Sequence, residues 1–215
     1  MKLLIFDLDG TLIDSQRDLV NSVNATRVHM GMAELPAETV QSYVGNGAPV
    51  LIRRAMGADA SDAKVERALA YFLQHYRAHM LDYTVLYPGV RESLDTFRGQ
   101  QIRMAVLTNK PSHIAEAILE GLGVSAHFFR IYGGNSFAQK KPDPAGVHAL
   151  LEETGLPAGQ ALMVGDSAVD VRTARNAGIK ACGVTYGFQP ESLKQEPPDY
   201  LLDHMGELVP LVLGG

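Results

Sequence analysis

The sequence predicts an α/β chain: a mostly parallel sheet covered by helices on both faces and interrupted by a helical insert. Three observations point there. Short, near-continuous apolar runs alternate with helical periodicity, as βα units do. Acidic and polar residues collect directly after several of those runs. Between residues 14 and 84 only helical periodicity is found.

The strand candidates are LLIF (3–6), IRMAVL (102–107), ALMV (161–164), ACGV (181–184) and YLL (200–202). Each is apolar almost throughout, as a strand buried on both faces must be. PSHIAEAILEGLG follows the second and AVDVRTARNAG the third, both ending in Gly, a common helix stop. The insert reads as four helices: DLVNSVNATRVHMG, PAETVQSYVG, APVLIRRAMG and DAKVERALAYFLQHYRAHML. Ser15 and Asp18 stand at capping-box spacing before the first. The chain re-enters the sheet near YPGV (87–90). The expected division is therefore an α/β core of residues 1–13 and 85–215 and a helical subdomain of residues 14–84, with a Rossmann-like three-layer core.

Bulk properties narrow the function classes. The chain has 215 residues, 46% of them hydrophobic, enough for a packed core. Mean hydropathy is −0.02, and no apolar run approaches the roughly 18 residues of a spanning helix, so no membrane association is expected. The start, MKLLIFDLDG, meets acids at once and offers no small-residue cleavage site, unlike a signal peptide. A single cysteine, Cys182, excludes an internal disulfide framework and fits a reducing cytoplasm. The net charge of −5 gives no reason to expect a nucleic-acid partner.

The chemistry-bearing residues stand at strand ends, where ligands bind in open α/β sheets. In FDLDGTL (6–12), Asp7 and Asp9 are two apart and project to one side of an extended segment. Gly10 frees the backbone for a sharp turn, and Thr11 supplies a hydroxyl. IRMAVL runs into Thr108-Asn109-Lys110, with Pro111 opening a helix, an arrangement suited to anions. ALMV runs into Gly165-Asp166-Ser167, with Asp170 four residues beyond Asp166. QKKPDP (139–144) sets lysines before a Pro-initiated helix. Carboxylates gathered this way must bind a metal, share protons or pair with cations. An all-oxygen set suits a hard ion such as Mg²⁺, completed by substrate phosphate. A carboxylate nucleophile can then take up a phosphoryl group, while a second carboxylate protonates the leaving oxygen and activates water.

FDLDGTL, VLTNK, KKPDP and VGDSAVD, in this order, resemble the four motifs of the haloacid dehalogenase-like hydrolase superfamily, and the helical insert resembles its C1-type cap. Within it, DGTLIDS, YVGNGAPVLIRRAMG, YPGV and GDSAVDVRTARNAGIKACGVTYGF look most like phosphoglycolate phosphatases. The resemblance implies Asp7 as nucleophile and Asp9 as general acid/base, with Thr108 and Lys141 holding the transferring phosphoryl group. It implies Mg²⁺ on Asp166, Asp7 and the Asp9 backbone carbonyl, with Asp170 supporting the metal site through Lys141 or a metal-bound water. Asn109 would contact phosphate, and Gly10 and Arg53 complete the substrate-binding candidates. The implied activity is Mg²⁺-dependent hydrolysis of a small phosphorylated substrate, 2-phosphoglycolate foremost. A phosphatase for another ester or pyrophosphate, a β-phosphoglucomutase-like phosphomutase and a non-catalytic phosphate-binding protein remain open. Members that cleave carbon–halogen bonds lack the second aspartate and resemble this chain less.

Other residues read more simply. Arg53 and Arg54 suit a substrate carboxylate, though such arginines are more often solvated helix charges. Gly45-Asn46-Gly47 is a turn signal first and a substrate-closing loop second. His75 and His79 share a helix face without the intervening Glu of a zinc protease, so a solvated pair is expected. Cys182 is expected to pack as a small core residue.

Overall fold

The computed structural model describes residues 1–214. They form two compact units, residues 1–14 with 86–214, and residues 15–85. The strands are β1 (Leu3–Phe6), β2 (Ile13–Asp14), β3 (Val85–Leu86), β4 (Arg103–Leu107), β5 (Arg130–Tyr132), β6 (Ala161–Gly165), β7 (Lys180–Val184) and β8 (Tyr200–Leu202). In the helical unit lie α1 (Gln16–His29), α2 (Ala37–Gln41), α3 (Ala48–Met56) and α4 (Asp62–His79). The sheet unit adds α5 (Val90–Gly99), α6 (Ser112–Gly121), α7 (Ala145–Thr154), α8 (Ala168–Asn176) and α9 (Leu208–Leu213).

Six strands pair in the order β5-β4-β1-β6-β7-β8, and each pairing is parallel. All four residues of β1 are fully buried, which requires cover on both faces and explains the unbroken apolar run. Leu3 and Ile5, on one face, join a core with Ala105, Met163, Val147 and Leu150 of α7 and Val171 of α8. Phe6 points the other way, its ring edge-on to Phe128 at 6.3 Å. The five expected strands are all present. β5 lacks a sequence signal because RIY is three residues long and only half buried, as an edge strand can be.

The order of strands positions the site. The chain moves outward from β1 to β4 and β5, then crosses back to build β6, β7 and β8 on the other side. The reversal falls at β1, and open α/β sheets bind ligands at the carboxyl end of strands where the order reverses. Register aligns the neighbours: Phe6 lies beside Val106 and Val164. Asp7, Thr108 and Asp166 therefore leave the sheet at one edge.

The helical unit packs α1 and α3 on α4. Along α4, Val65, Ala68, Phe72 and Tyr76 are buried, the stripe expected of a helix with one apolar face. Ser61 caps α4 by accepting the Lys64 N–H at 3.3 Å. The capping box expected at Ser15 and Asp18 is not formed: the Ser15 side chain makes no cap hydrogen bond. Asp18 is instead buried, and its Oδ2 accepts the N–H groups of Tyr83 (3.0 Å) and Thr84 (2.8 Å) and the Thr84 hydroxyl (2.8 Å). Three donors from the distant end of this unit satisfy the carboxylate better than one local N–H would.

Candidate active site

At the end of β1 the chain turns at once. The Leu8 carbonyl accepts from Thr11, Leu12 and Ile13 N–H, and Gly10 N–H donates to the Ile13 carbonyl at 3.0 Å. Gly10 holds φ +79°, which a side chain disfavours. A Cβ there would also strike the Asp166 carboxylate, its Cγ 2.8 Å away. Glycine is thus what lets this turn approach Asp166. Thr11, expected to offer its hydroxyl, is fully buried; its carbonyl accepts the Tyr186 hydroxyl at 3.0 Å.

Asp7, Asp166 and Asp170 converge, each offering one carboxylate oxygen within 4.8 Å of the others. Lys141 joins them, its Nζ 2.9 Å from Asp7 Oδ1 and 2.6 Å from Asp170 Oδ1. The lysine backbone is fixed by a reciprocal pair with Asn109, whose Oδ1 accepts Lys141 N–H at 3.0 Å while Nδ2 donates to the Lys141 carbonyl at 3.2 Å. Asn109 is therefore bound to a site residue's backbone. The helix after these lysines, α7, begins only at Ala145, beyond Pro144, so Lys141 lies in the loop rather than against a helix N-terminus.

Asp170 is oriented by Ser167, whose N–H and hydroxyl donate to Oδ2 at 3.1 and 2.7 Å. That leaves Oδ1 for Lys141. Asp166 is oriented by the 186–189 loop: Phe188 and Gln189 N–H groups donate to its Oδ2 at 2.7 and 3.2 Å. A Cβ at Gly187 would collide with Asp166 Cβ and the Gly10 carbonyl, so the loop can close only with glycine there. These loop amides carried no sequence signal, because a backbone donor has no residue identity.

The electrostatics follow from three carboxylates and one ammonium in a buried pocket. Burial, with Asp170 nearby, pushes the Asp7 carboxyl up to about 6 against the pull of Lys141. Burial, then Asp170 and Asp7, push Asp166 up to about 8 despite its two N–H donors. Burial opposes the Lys141 charge, but Asp170 and Asp7 hold the ammonium well above its ordinary range. The cluster is short of positive charge, and its donors are all hard oxygens. Mg²⁺ fits such a set, with Asp7, Asp166 and Asp170 the side chains able to hold it.

Asp9 stands apart from that group. Lys110 Nζ donates to both its oxygens, at 2.8 and 2.7 Å, and the lysine side chain is 5% exposed against 15% for the aspartate. Sequence reading passed over Lys110, although its place two residues beyond Thr108 was a usable signal. Thr108 is buried, and its Oγ1 accepts Lys110 N–H at 3.3 Å. The two aspartates of FDLDGTL thus have separate cations.

The helical unit holds the other candidates. The Arg53 guanidinium, on α3, donates to the Ala60 carbonyl at 2.9 Å and pairs with Asp62; Arg54 donates to the Tyr43 carbonyl at 3.3 Å. His75 and His79 stack at 4.4 Å, His75 bonded to Ser22 Oγ at 3.1 Å and the exposed His79 to Asp82 at 2.8 Å. Cys182 is buried. No helix among the described residues is long and apolar enough to cross a membrane.

Comparisons with known proteins point to one family. A model of the haloacid dehalogenase-like hydrolases matches residues 4–184. A phosphoglycolate phosphatase of Pseudomonas fluorescens is 42% identical over 216 residues, covering 97% of this chain and 79% of that protein. One from Chromobacterium violaceum is 38% identical, covering 100% of this chain and 98% of its own. Among solved structures, a predicted phosphoglycolate phosphatase from Haemophilus somnus superposes with a TM-score of 0.93 at 32% identity, covering 98% of this chain and 97% of that one. With a family model running from β1 to the end of β7 and relatives alike over nearly its whole length, the chain belongs to the haloacid dehalogenase-like hydrolase family.

Proposed function

We propose that this chain is a Mg²⁺-dependent phosphatase of small phosphate monoesters, acting through an aspartyl-phosphate on Asp7, with 2-phosphoglycolate as its substrate. The observation that carries the reading is the buried carboxylate cluster of Asp7, Asp166 and Asp170, joined by Lys141 at the sheet's carboxyl edge. The names of relatives 38–42% identical over nearly the whole chain support the ester. The helical unit Ser15–Val85 is read as the family's cap, choosing among esters, and the protein as a soluble cytoplasmic one.

In the first half-reaction an Asp7 carboxylate oxygen attacks phosphorus in line with the leaving oxygen. The Asp7 O–P bond forms as the ester P–O bond breaks, and protonated Asp9 gives its proton to the departing alkoxide. In the second, Asp9, now a carboxylate, takes a proton from water as that water attacks the phosphorus. The Asp7 O–P bond then breaks, releasing inorganic phosphate and restoring both carboxyls. Lys141, with Thr108, holds the equatorial oxygens of the phosphoryl group, positioning and neutralising it rather than reacting with it. Asp7, Asp166, Asp170 and the Asp9 carbonyl would hold Mg²⁺, which would supply the remaining positive charge for the phosphoryl oxygens.

The test is a Mg²⁺-supplemented comparison of phosphoglycolate, sugar phosphates, nucleotides, pyrophosphate and p-nitrophenyl phosphate by kcat/KM. Phosphoglycolate is expected to lead, chelator to stop turnover and Mg²⁺ to restore it. Asp7→Asn is expected to lower kcat on the order of 10⁴-fold or more with an unchanged circular dichroism spectrum. Near-wild-type hydrolysis by that variant, or full activity in excess chelator, refutes the proposal. Isomerisation of a sugar 1-phosphate with little phosphate released would reassign the chain to phosphoryl mutation.

A further inference from the structure

We infer that Tyr186 is a positioning residue for Asp166: its hydroxyl pins the 186–189 loop to the turn after β1, so that the loop presents two N–H groups to a carboxylate that is to hold Mg²⁺. The inference deepens the Mg²⁺-dependent reading above and rests on it. It starts from a junction of three segments distant in sequence. The Tyr186 hydroxyl donates to the Thr11 carbonyl at 3.0 Å. At the next residue, a Cβ on Gly187 would strike both the Gly10 carbonyl and Asp166 Cβ. The next two residues, Phe188 and Gln189, give their N–H groups to Asp166 Oδ2 at 2.7 and 3.2 Å. Anchor, close approach and donors thus follow one another along four residues. Groups that hydrogen-bond a ligating carboxylate fix its orientation. Two donors on Oδ2 fix the rotation of this one, and with it the direction of Oδ1.

The loop is built to hold this place. At its start, just past β7, Thr185 N–H donates to the Leu202 carbonyl at 3.0 Å and its hydroxyl to Asp203 Oδ1 at 2.6 Å. At its end the Gln189 carbonyl accepts the Ser192 N–H at 3.0 Å and hydroxyl at 2.7 Å. Ser192 Oγ in turn accepts the N–H of Ala168, the first residue of α8, at 2.9 Å. Between these ends the Tyr186 ring packs on that of Tyr87, centroids 4.7 Å apart, and Tyr87 N–H donates to the Leu12 carbonyl at 3.1 Å. The two tyrosines therefore hold consecutive carbonyls, those of Thr11 and Leu12, in the turn that follows Asp7. A phenylalanine at 186 would keep the ring against Tyr87 but has no hydroxyl to donate. The loop would then lose its bond to the turn, and the two amides would be held less firmly against Asp166.

Mg²⁺ affinity separates positioning from a merely structural part. The Mg²⁺ dissociation constant is measured by isothermal titration calorimetry, without substrate, for wild type, Tyr186→Phe, Gly187→Ala and Asp18→Ala. Tyr186→Phe is expected to weaken Mg²⁺ binding by about 3- to 10-fold, the scale of one hydrogen bond. Gly187→Ala, which forces the loop off Asp166, is expected to weaken it by about 10- to 100-fold, the range for partners that orient metal ligands. The Mg²⁺ concentration giving half-maximal hydrolysis should rise by the same factors. Asp18→Ala removes an acceptor for Tyr83 and Thr84 in the helical unit, and is expected to lower stability with the Mg²⁺ constant unchanged. An unchanged constant in Tyr186→Phe, or an equal weakening in Asp18→Ala, overturns the inference. Should Gly187→Ala fail to fold, Tyr186→Phe decides alone. If wild type itself takes up no Mg²⁺, the metal reading fails and the inference with it; wild-type binding with an unaffected Tyr186→Phe overturns the inference alone.

Discussion

Asp166 makes the carboxylate cluster sensitive to pH in a way that can be read without turnover. Asp166 is 3% exposed, and its carboxyl is pushed from 3.8 up to about 8 by burial first and by Asp170 and Asp7 next. The sign follows directly. Between those two values the folded protein holds a proton that the unfolded chain has lost, so the unfolded state binds fewer protons and stability falls as pH rises. One such proton is worth about 1.4 kcal/mol per pH unit. From about pH 5.5 to 7.5 the metal-free protein should lose on the order of 3 kcal/mol, or roughly 5–10 °C in Tm for a chain of this size. Asp7, itself raised to about 6, titrates with Asp166 as a unit, so the proton belongs to the pair.

The assay is thermal unfolding of chelator-treated protein across that range, for wild type and Asp166→Asn. The asparagine keeps an acceptor for the Phe188 and Gln189 N–H groups and removes the titration, so its Tm should depend less on pH by about one proton's slope. Because metal ligands must be deprotonated, added Mg²⁺ should raise wild-type Tm more at the upper pH than at the lower, and change the variant little. Parallel pH profiles for wild type and Asp166→Asn, or a Mg²⁺ effect independent of pH, would refute the reasoning.

Two further outcomes are expected. Asp18→Ala leaves the Tyr83 and Thr84 N–H groups and the Thr84 hydroxyl without their acceptor, and should destabilise by about 3 kcal/mol; chemical denaturation checks it, and a loss under about 1 kcal/mol would mean the donors find other partners. Arg53→Ala should raise KM for an acidic ester with kcat preserved, the mark of lost uniform binding; an unchanged KM would confine Arg53 to its bonds with Ala60 and Asp62.

What could be read in advance divides along physical lines. The strands of the core were legible because strands buried on both faces are apolar throughout, and parallel register turns a place at a strand end into a place at one edge of the sheet. Asp7, Thr108 and Asp166 therefore could be brought together on paper, each being the first or second residue after an apolar run. β5 escaped notice because an edge strand need not be apolar. Asp18 misled because a residue at capping distance also fits a remote partner, and three donors more than 60 residues away outweigh one nearby.

The pair in FDLDGTL illustrates the deeper limit. Two aspartates two residues apart announce a charge problem, and spacing suggests a common solution for both. The structure has two solutions. Asp7 is answered by Lys141 and belongs to the carboxylate cluster; Asp9 is answered by Lys110, from a different strand end. A lysine's partner is decided by where a flexible four-carbon stem ends, and nothing in the spacing of residues fixes that. The separation has a chemical consequence. A carboxylate that attacks phosphorus must keep its negative charge close to a cation, whereas one that moves protons must change charge at every turnover. In the mechanism proposed above those two roles fall to Asp7 and Asp9, and the two carboxylates are paired with different lysines.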